Sequence, residues 1–232
     1  APGDADGWPA VTGWRPSLDE AGYVAGVEEV RRRIAAGTVY QVNLTTVLSA
    51  PLPDDARLPD LAARLAAGNP APFAGVVHVP SAGVDVVTAS PERYLTRTGD
   101  RIVSSPIKGT APTVEQMLTK DVAENVMIVD LVRNDLQHVC APGSVVVERL
   151  CGPEEHPGLV HLVSDVAGDL RPGTTWAEVL DASFPPGSVS GAPKSSALTA
   201  IADIEPVPRG PYCGAVGWVD AAIDCWSHWR RV

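Results

Sequence analysis

The chain has 232 residues and a formal net charge of −10, with 45% hydrophobic and only 20% charged side chains. That length holds a full core, in one large domain or two small ones, and low charge with ample Val, Leu and Ala argues against a disordered chain. The acidic balance argues against nucleic acid as the main partner, because phosphate binding needs a basic patch, and no apolar run reaches the length of a membrane span.

Residues 1–16 are rich in Gly, Pro and Asp and read as a loose N-terminal arm. Tyr23, Val27, Val30 and Ile34 recur at helical spacing, which predicts an amphipathic helix over about 18–36. Residues 39–45 alternate like a strand, and 58–67 read as a second helix stopped by Gly68-Asn69-Pro70. Strand-like runs follow at 75–79, 84–88 and 94–98, and Gly99-Asp100 makes a hairpin turn into 101–105. A long helix is expected over 121–137, strands over 145–149 and 159–166, and a short Thr-capped helix over 174–182. A helix over 192–204, with Pro193 near its first turn, and a strand over 214–219 complete the pattern. Hairpins mixed with helices, without strict alternation, indicate an α+β fold. Cys140, Cys151, Cys213 and Cys225 include no Cys-x-x-Cys pair. Neither a zinc ribbon nor a disulfide scaffold is expected. Ala1-Pro2-Gly3-Asp4 does not open a signal peptide. The expected setting is the reducing cytoplasm.

Four segments carry residues suited to chemistry. The helix over 121–137 reads as apolar nearly all round, hence buried, yet it holds Asp121, Glu124, Asp130, Arg133 and Asp135. Asp121, Glu124 and Asp135 share a face and would suit Mg²⁺, or they pair internally with Arg133 or Lys120. Glu92 precedes one strand of the 94–105 hairpin and Lys108 follows the other, so the two meet at one sheet edge. They form either an acid–nucleophile pair or a surface ion pair. The Gly-rich loop at 185–194 opens a helix and offers an anion site or a plain turn; its spacing is not that of a P-loop. The glycines of Arg209-Gly210-Pro211-Tyr212-Cys213-Gly214 allow close backbone approach to a ligand, or only tight packing. His161, at the start of an apolar strand, reads as a satisfied core histidine. The chain has only three lysines, Lys108, Lys120 and Lys194, against many arginines. Each is of interest because lysine, unlike arginine, can shed its proton.

In order, these segments resemble the chorismate-utilising enzymes. The matching stretches are Tyr40-Gln41-Val42-Asn43-Leu44-Thr45, Ser90-Pro91-Glu92-Arg93, Pro106-Ile107-Lys108-Gly109-Thr110, KDVAENVMIVDLVRND at 120–135, His161-Leu162-Val163-Ser164, GSVSGAPK at 187–194 and RGPYCGAVG at 209–217. Within the family the chain is most similar to component I of aminodeoxychorismate synthase, because Lys108 stands where the anthranilate, isochorismate and salicylate branches typically carry Ala. The resemblance implies antiparallel sheets in a layered α/β/β/α arrangement. It assigns 1–16 as an arm, 17–220 as a partial chorismate-binding catalytic domain and 221–232 as a non-matching tail, in a chain shortened at both ends. It implies that Lys108, neutral in a dry pocket, attacks the chorismate ring while protonated Glu92 protonates the departing hydroxyl. Thr110, His161, Tyr212, Gly214 and Ala215 would bind substrate, and Glu124 would bind Mg²⁺ as cofactor. Ammonia would come from a separate glutamine amidotransferase subunit. Ala111 stands where relatives commonly have Arg, and the 221–232 stretch lacks the family's carboxylate-binding Arg and its second metal-binding Glu.

Overall fold

A computed structural model describes residues 2–220 and 226–231, with 220 and 226–231 described as backbone. The chain divides into two compact units, 1–91 with 189–214, and 92–188 with 215–231. Both mix helices with antiparallel strands, which is the α+β class expected. No helix among the described residues is long and apolar enough to cross a membrane.

The first unit holds strands β1 (Arg15–Pro16), β2 (Gln41–Val42), β3 (Leu48–Ser49), β4 (Phe73–Val79) and β5 (Val84–Ser90). Its helices are α1 (Glu20–Ala35) and α2 (Leu58–Gly68). Asp19 caps α1 by accepting from Gly22 N at 2.8 Å. Gly26 in α1 is a packing requirement, because a Cβ there would stand 2.8 Å from Ile204 Cγ2 and 2.9 Å from Leu44 Cδ2. The arm is docked rather than loose: Asp4 N donates to buried Asp60 Oδ1 at 2.9 Å, and Gly3 lies flush on the Pro59 backbone. The strand expected over 39–45 shrinks to β2, because its partner is equally short.

The second unit holds β6 (Arg93–Thr98), β7 (Arg101–Ser105), β8 (Ile107–Ala111), helix α3 (Thr119–Gln137), β9 (Val146–His156), β10 (Leu159–Asp169) and helix α4 (Trp176–Ser183). The first unit resumes with β11 (Gly191–Ala192), which pairs antiparallel with β2, and helix α5 (Lys194–Ile204). Gly191, at φ +137°, brings its backbone so close to Gln41 O that a Cβ would overlap it. The second unit ends with β12 (Ala215–Asp220) and β13 (Trp226–Arg231). Residues 221–225 of the expected tail, with Cys225, lie outside the described residues. Residues 226–231 form a strand between β12 and β6.

Pro106 separates β7 from β8, yet both pair with the same edge of β10: Ile102 faces Gly168, and Thr110 faces His161. Ser164 N bonds Pro106 O at 3.1 Å across the gap, and β9 takes the other edge of β10. Under this sheet, Tyr94, Leu95, Ile102, Ile128, Val129, Val132, Leu136, Val166 and Val179 form a closed core. The Tyr94 hydroxyl is buried against Ser183 Oγ at 2.7 Å, so even its polar tip is satisfied.

Candidate active site

β8 was not legible as a strand, and it positions the central residue. Thr110 faces His161 and Ile107 faces Val163, so Lys108 and Gly109 together oppose Leu162 alone. This is a β-bulge, the device that breaks a ladder and re-aims a side chain. Gly109 takes φ +90° there, and a Cβ would stand 2.9 Å from Asp121 Cβ and 3.1 Å from Leu162 Cδ1. The bulge leaves Lys108 half-buried, with Nζ donating to Ser188 O at 3.4 Å. The Ser188 hydroxyl is itself buried and has no hydrogen-bond partner among the described residues.

Glu92 reaches the same strand. It is 8% exposed, and its Oε1 accepts from Ile107 N at 3.0 Å, one residue before Lys108. Beside it on β8, Thr110 Oγ1 lies 2.8 Å from His161 Nδ1. The His161 ring stands edge-on to His156 at 5.0 Å between centroids. Burial, and then the neighbouring His156, hold the His161 imidazole below its ordinary value, against the opposing pull of Glu154. His161 is therefore a polar member of the site and not an inert core residue. Glu92, Lys108, Thr110 and His161 lie together on one stretch of the second unit's sheet. Ala215 is in the same unit, at the start of β12 and against its core.

The helix α3 is not buried all round. Ile128, Val129, Val132 and Leu136 are buried in the core, while Val122, Val126 and Met127 are exposed. Glu124 is exposed with them. The Asp121 carboxylate closes the first helical turn on Leu118 N at 2.8 Å, and Arg133 pairs with Asp130 at 2.9 Å. Among the described residues, no group of three or more His, Cys, Asp or Glu is placed to hold a metal ion.

Two groups went unread in the sequence. Asn125 is 1% exposed, and it falls in register with Ile128, Val129 and Val132. A lone amide on an apolar stripe was the available signal. The other is in the first unit. Arg209 Nε and Nη2 grip Glu205 at 2.8 and 2.6 Å, while its Nη1 and Nη2 donate to Val189 O and Asn43 O, each at 2.7 Å. Glu205 Oε1 also accepts from Thr45 N at 2.9 Å. One guanidinium thus fastens three of the seven quoted stretches, those around Asn43, Val189 and Arg209. Tyr212 and Gly214 follow on the loop that Arg209 starts. Tyr212 is exposed, and Gly214 N closes a turn on Pro211 O at 2.9 Å. A Cβ on Gly214 would meet that same oxygen at 2.7 Å.

A family model described as chorismate binding enzyme matches residues 2–226. The chain belongs to the chorismate-binding enzymes. It is 40% identical over 222 residues to anthranilate synthase component 1 of Streptomyces coelicolor, covering 90% of this chain and 43% of that one. It is 36% identical over 222 residues to aminodeoxychorismate synthase component 1 of Klebsiella aerogenes, covering 90% and 48%. The crystal structure of anthranilate synthase component I from Streptococcus pneumoniae superposes with a TM-score of 0.83 at 27% identity, over 96% of this chain and 51% of that one. The chain spans a little under half the length of these two curated relatives. Both branch names occur among them, so family membership alone does not choose the product.

Proposed function

We propose that this chain acts on chorismate and replaces the ring C4 hydroxyl with ammonia, giving 4-amino-4-deoxychorismate, as an aminodeoxychorismate synthase component I. The observation that carries the reading is Lys108 on a bulge, with Glu92 buried on the adjoining amide. In the proposed sequence, the Lys108 amine attacks ring C2. The C4–O bond breaks, and Glu92 gives its proton to the departing hydroxyl, which leaves as water. Ammonia then adds at C4 as the C2–N bond to Lys108 breaks, the lysine leaves as the neutral amine, and the proton shed by the added nitrogen restores Glu92. The net change is chorismate plus ammonia to aminodeoxychorismate plus water.

Thr110 and His161 would hold the substrate beside Lys108, and the buried Ser188 hydroxyl is available to it. Tyr212, Gly214 and Ala215 are proposed as further substrate-binding residues, on the strength of the family resemblance. The ammonia would come from a glutamine amidotransferase subunit. Glu124 would hold a Mg²⁺ ion, which would keep much of its coordination as water and would supply positive charge to the anionic substrate. No bond-making step is assigned to it.

The test incubates the chain with chorismate, Mg²⁺ and an ammonium salt and identifies products by mass. Aminodeoxychorismate that vanishes in Lys108→Ala is the expected result. The 40% identity to an anthranilate synthase component 1 favours a second reading, in which the products are anthranilate and pyruvate; their appearance would refute the first. Omission of Mg²⁺ and Glu124→Gln should each abolish turnover, and activity surviving either one would remove the ion from the proposal.

A further inference from the structure

The bulge that aims Lys108 breaks the β8–β10 ladder between His161 and Val163. At Lys108-Gly109 opposite Leu162, the regular inter-strand pairing lapses. A buried carbonyl without a donor is costly, so something must replace the missing amides. Asn125, on α3, does so. Its Nδ2 donates to Leu162 O at 2.9 Å and to Lys108 O at 3.2 Å, bridging the two strands at the bulge. Its Oδ1 accepts from Ser164 Oγ on β10, and that oxygen accepts in turn from Cys151 N on β9 at 2.8 Å. Both amide hydrogens and the amide oxygen are engaged, so the side chain has one orientation. Asn125 and Ser164 are 1% and 0% exposed. No water competes for these bonds, and a low local dielectric strengthens them.

We propose that Asn125 is the positioning residue for Lys108: it plugs the bulge, holds the Lys108 backbone, and so fixes where the amine projects. Ser164 is its lock. This deepens the reading of Lys108 as the nucleophile, and Asn125 itself touches no reacting atom. Asn125 stands next to Glu124 on the same helix, so the plug also sets the register of α3 against the lysine strand.

The three lysines make the inference measurable without turnover. Trace acetylation with acetic anhydride, mapped by mass spectrometry, gives a rate at Lys108 relative to Lys194 and Lys120 in the same molecule. In Asn125→Asp, which keeps shape and volume but loses both donors, the Lys108:Lys194 ratio should rise about fivefold as the amine leaves its half-buried contact with Ser188. Ser164→Ala retains both Asn125 donors and removes the lock together with the acceptor of Cys151 N. It should shift the ratio in the same direction by a smaller factor. An unchanged ratio in either variant that keeps a cooperative melting transition overturns the inference. So does a ratio that stays constant because all three lysines become faster together. Product analysis on the parent chain is separate. Anthranilate there sinks the functional reading and leaves the labelling result standing, whereas a flat labelling ratio sinks the plug and leaves the function standing.

Discussion

Replacing Glu205 by Gln tests how much one buried ion pair contributes to the first unit. The Glu205 and Arg209 side chains are 5% and 14% exposed, and two bonds of 2.6 and 2.8 Å join them. Gln keeps the shape and one oxygen able to accept from Thr45, but it removes the charge opposite Arg209. Breaking a buried pair from one side costs about 3–5 kcal/mol, because the remaining charge is left uncompensated. Arg209 keeps its bonds to Val189 O and Asn43 O, which sets the expectation at the low end, about 3 kcal/mol. For a chain of this size that lowers the melting temperature by about 10 °C. The assay is thermal and urea unfolding at pH 7, with Arg209→Met and the double variant completing a cycle. The pair also carries a pH signature. Burial pushes the Glu205 carboxyl up, but hydrogen bonds from Arg209 and Thr45 N and the Arg209 charge outweigh it and hold the group below the usual carboxylate range. A carboxyl depressed in the folded state stabilises above its unfolded value, near 4.3, and that contribution is lost as pH falls through the folded value. The parent should therefore lose more stability than Glu205→Gln on going from pH 6 to pH 3. A variant within about 0.5 kcal/mol of the parent at pH 7, with parallel acid profiles, would refute the reasoning.

Two further outcomes follow from the second unit. Gly109→Ala places a Cβ at φ +90° and 2.9 Å from Asp121 Cβ. Strain and overpacking together should cost about 3 kcal/mol, read by urea unfolding; a neutral variant would mean the bulge can relax. His161 is held below the ordinary imidazole value, so its neutral form stabilises the fold above pH about 6.5, and that stability is lost as pH falls through the lower folded value. His161→Gln should flatten the loss between pH 7 and pH 5, and a steeper loss in the variant would contradict the assignment.

The legible parts of the fold were those governed by local chemistry. The hairpin of β6 and β7 was visible because Gly99-Asp100 separates two alternating runs, α1 because of its apolar spacing, α2 because Gly68-Asn69-Pro70 stops it, and α5 because Pro193 marks its start. β8 was hidden because Pro106, Gly109 and Pro112 interrupt any strand pattern, and its pairing with β10 is a tertiary decision. β13 was hidden because Trp226-Ser227-His228-Trp229-Arg230-Arg231 lacks a clean alternation. The burial of α3 was overread because Val122, Val126 and Met127 look like core in sequence, and only the position of the sheet shows which side they take. At the candidate site, the order of motifs located Glu92, Lys108 and His161. Asn125 was missed because its meaning depends on the lapse in pairing across from it. Arg209 was missed because its partners at Asn43 and Val189 are remote in sequence.

The division of the chain into two interleaved pieces bears on how it is made. Arg209 meets Asn43 across 166 positions and Thr45 meets Glu205 across 160, so the segment around Asn43 waits during synthesis for one made some 160 residues later. The stretch 92–188 supplies most of its own core and can condense while residues 1–91 are still waiting for 189–214. Contacts this distant slow folding and prolong the exposure of unpaired strand edges such as β2. Yield from refolding at high concentration should therefore be limited by the first unit, and the edge left waiting for Gly191 is where newly made copies would meet one another.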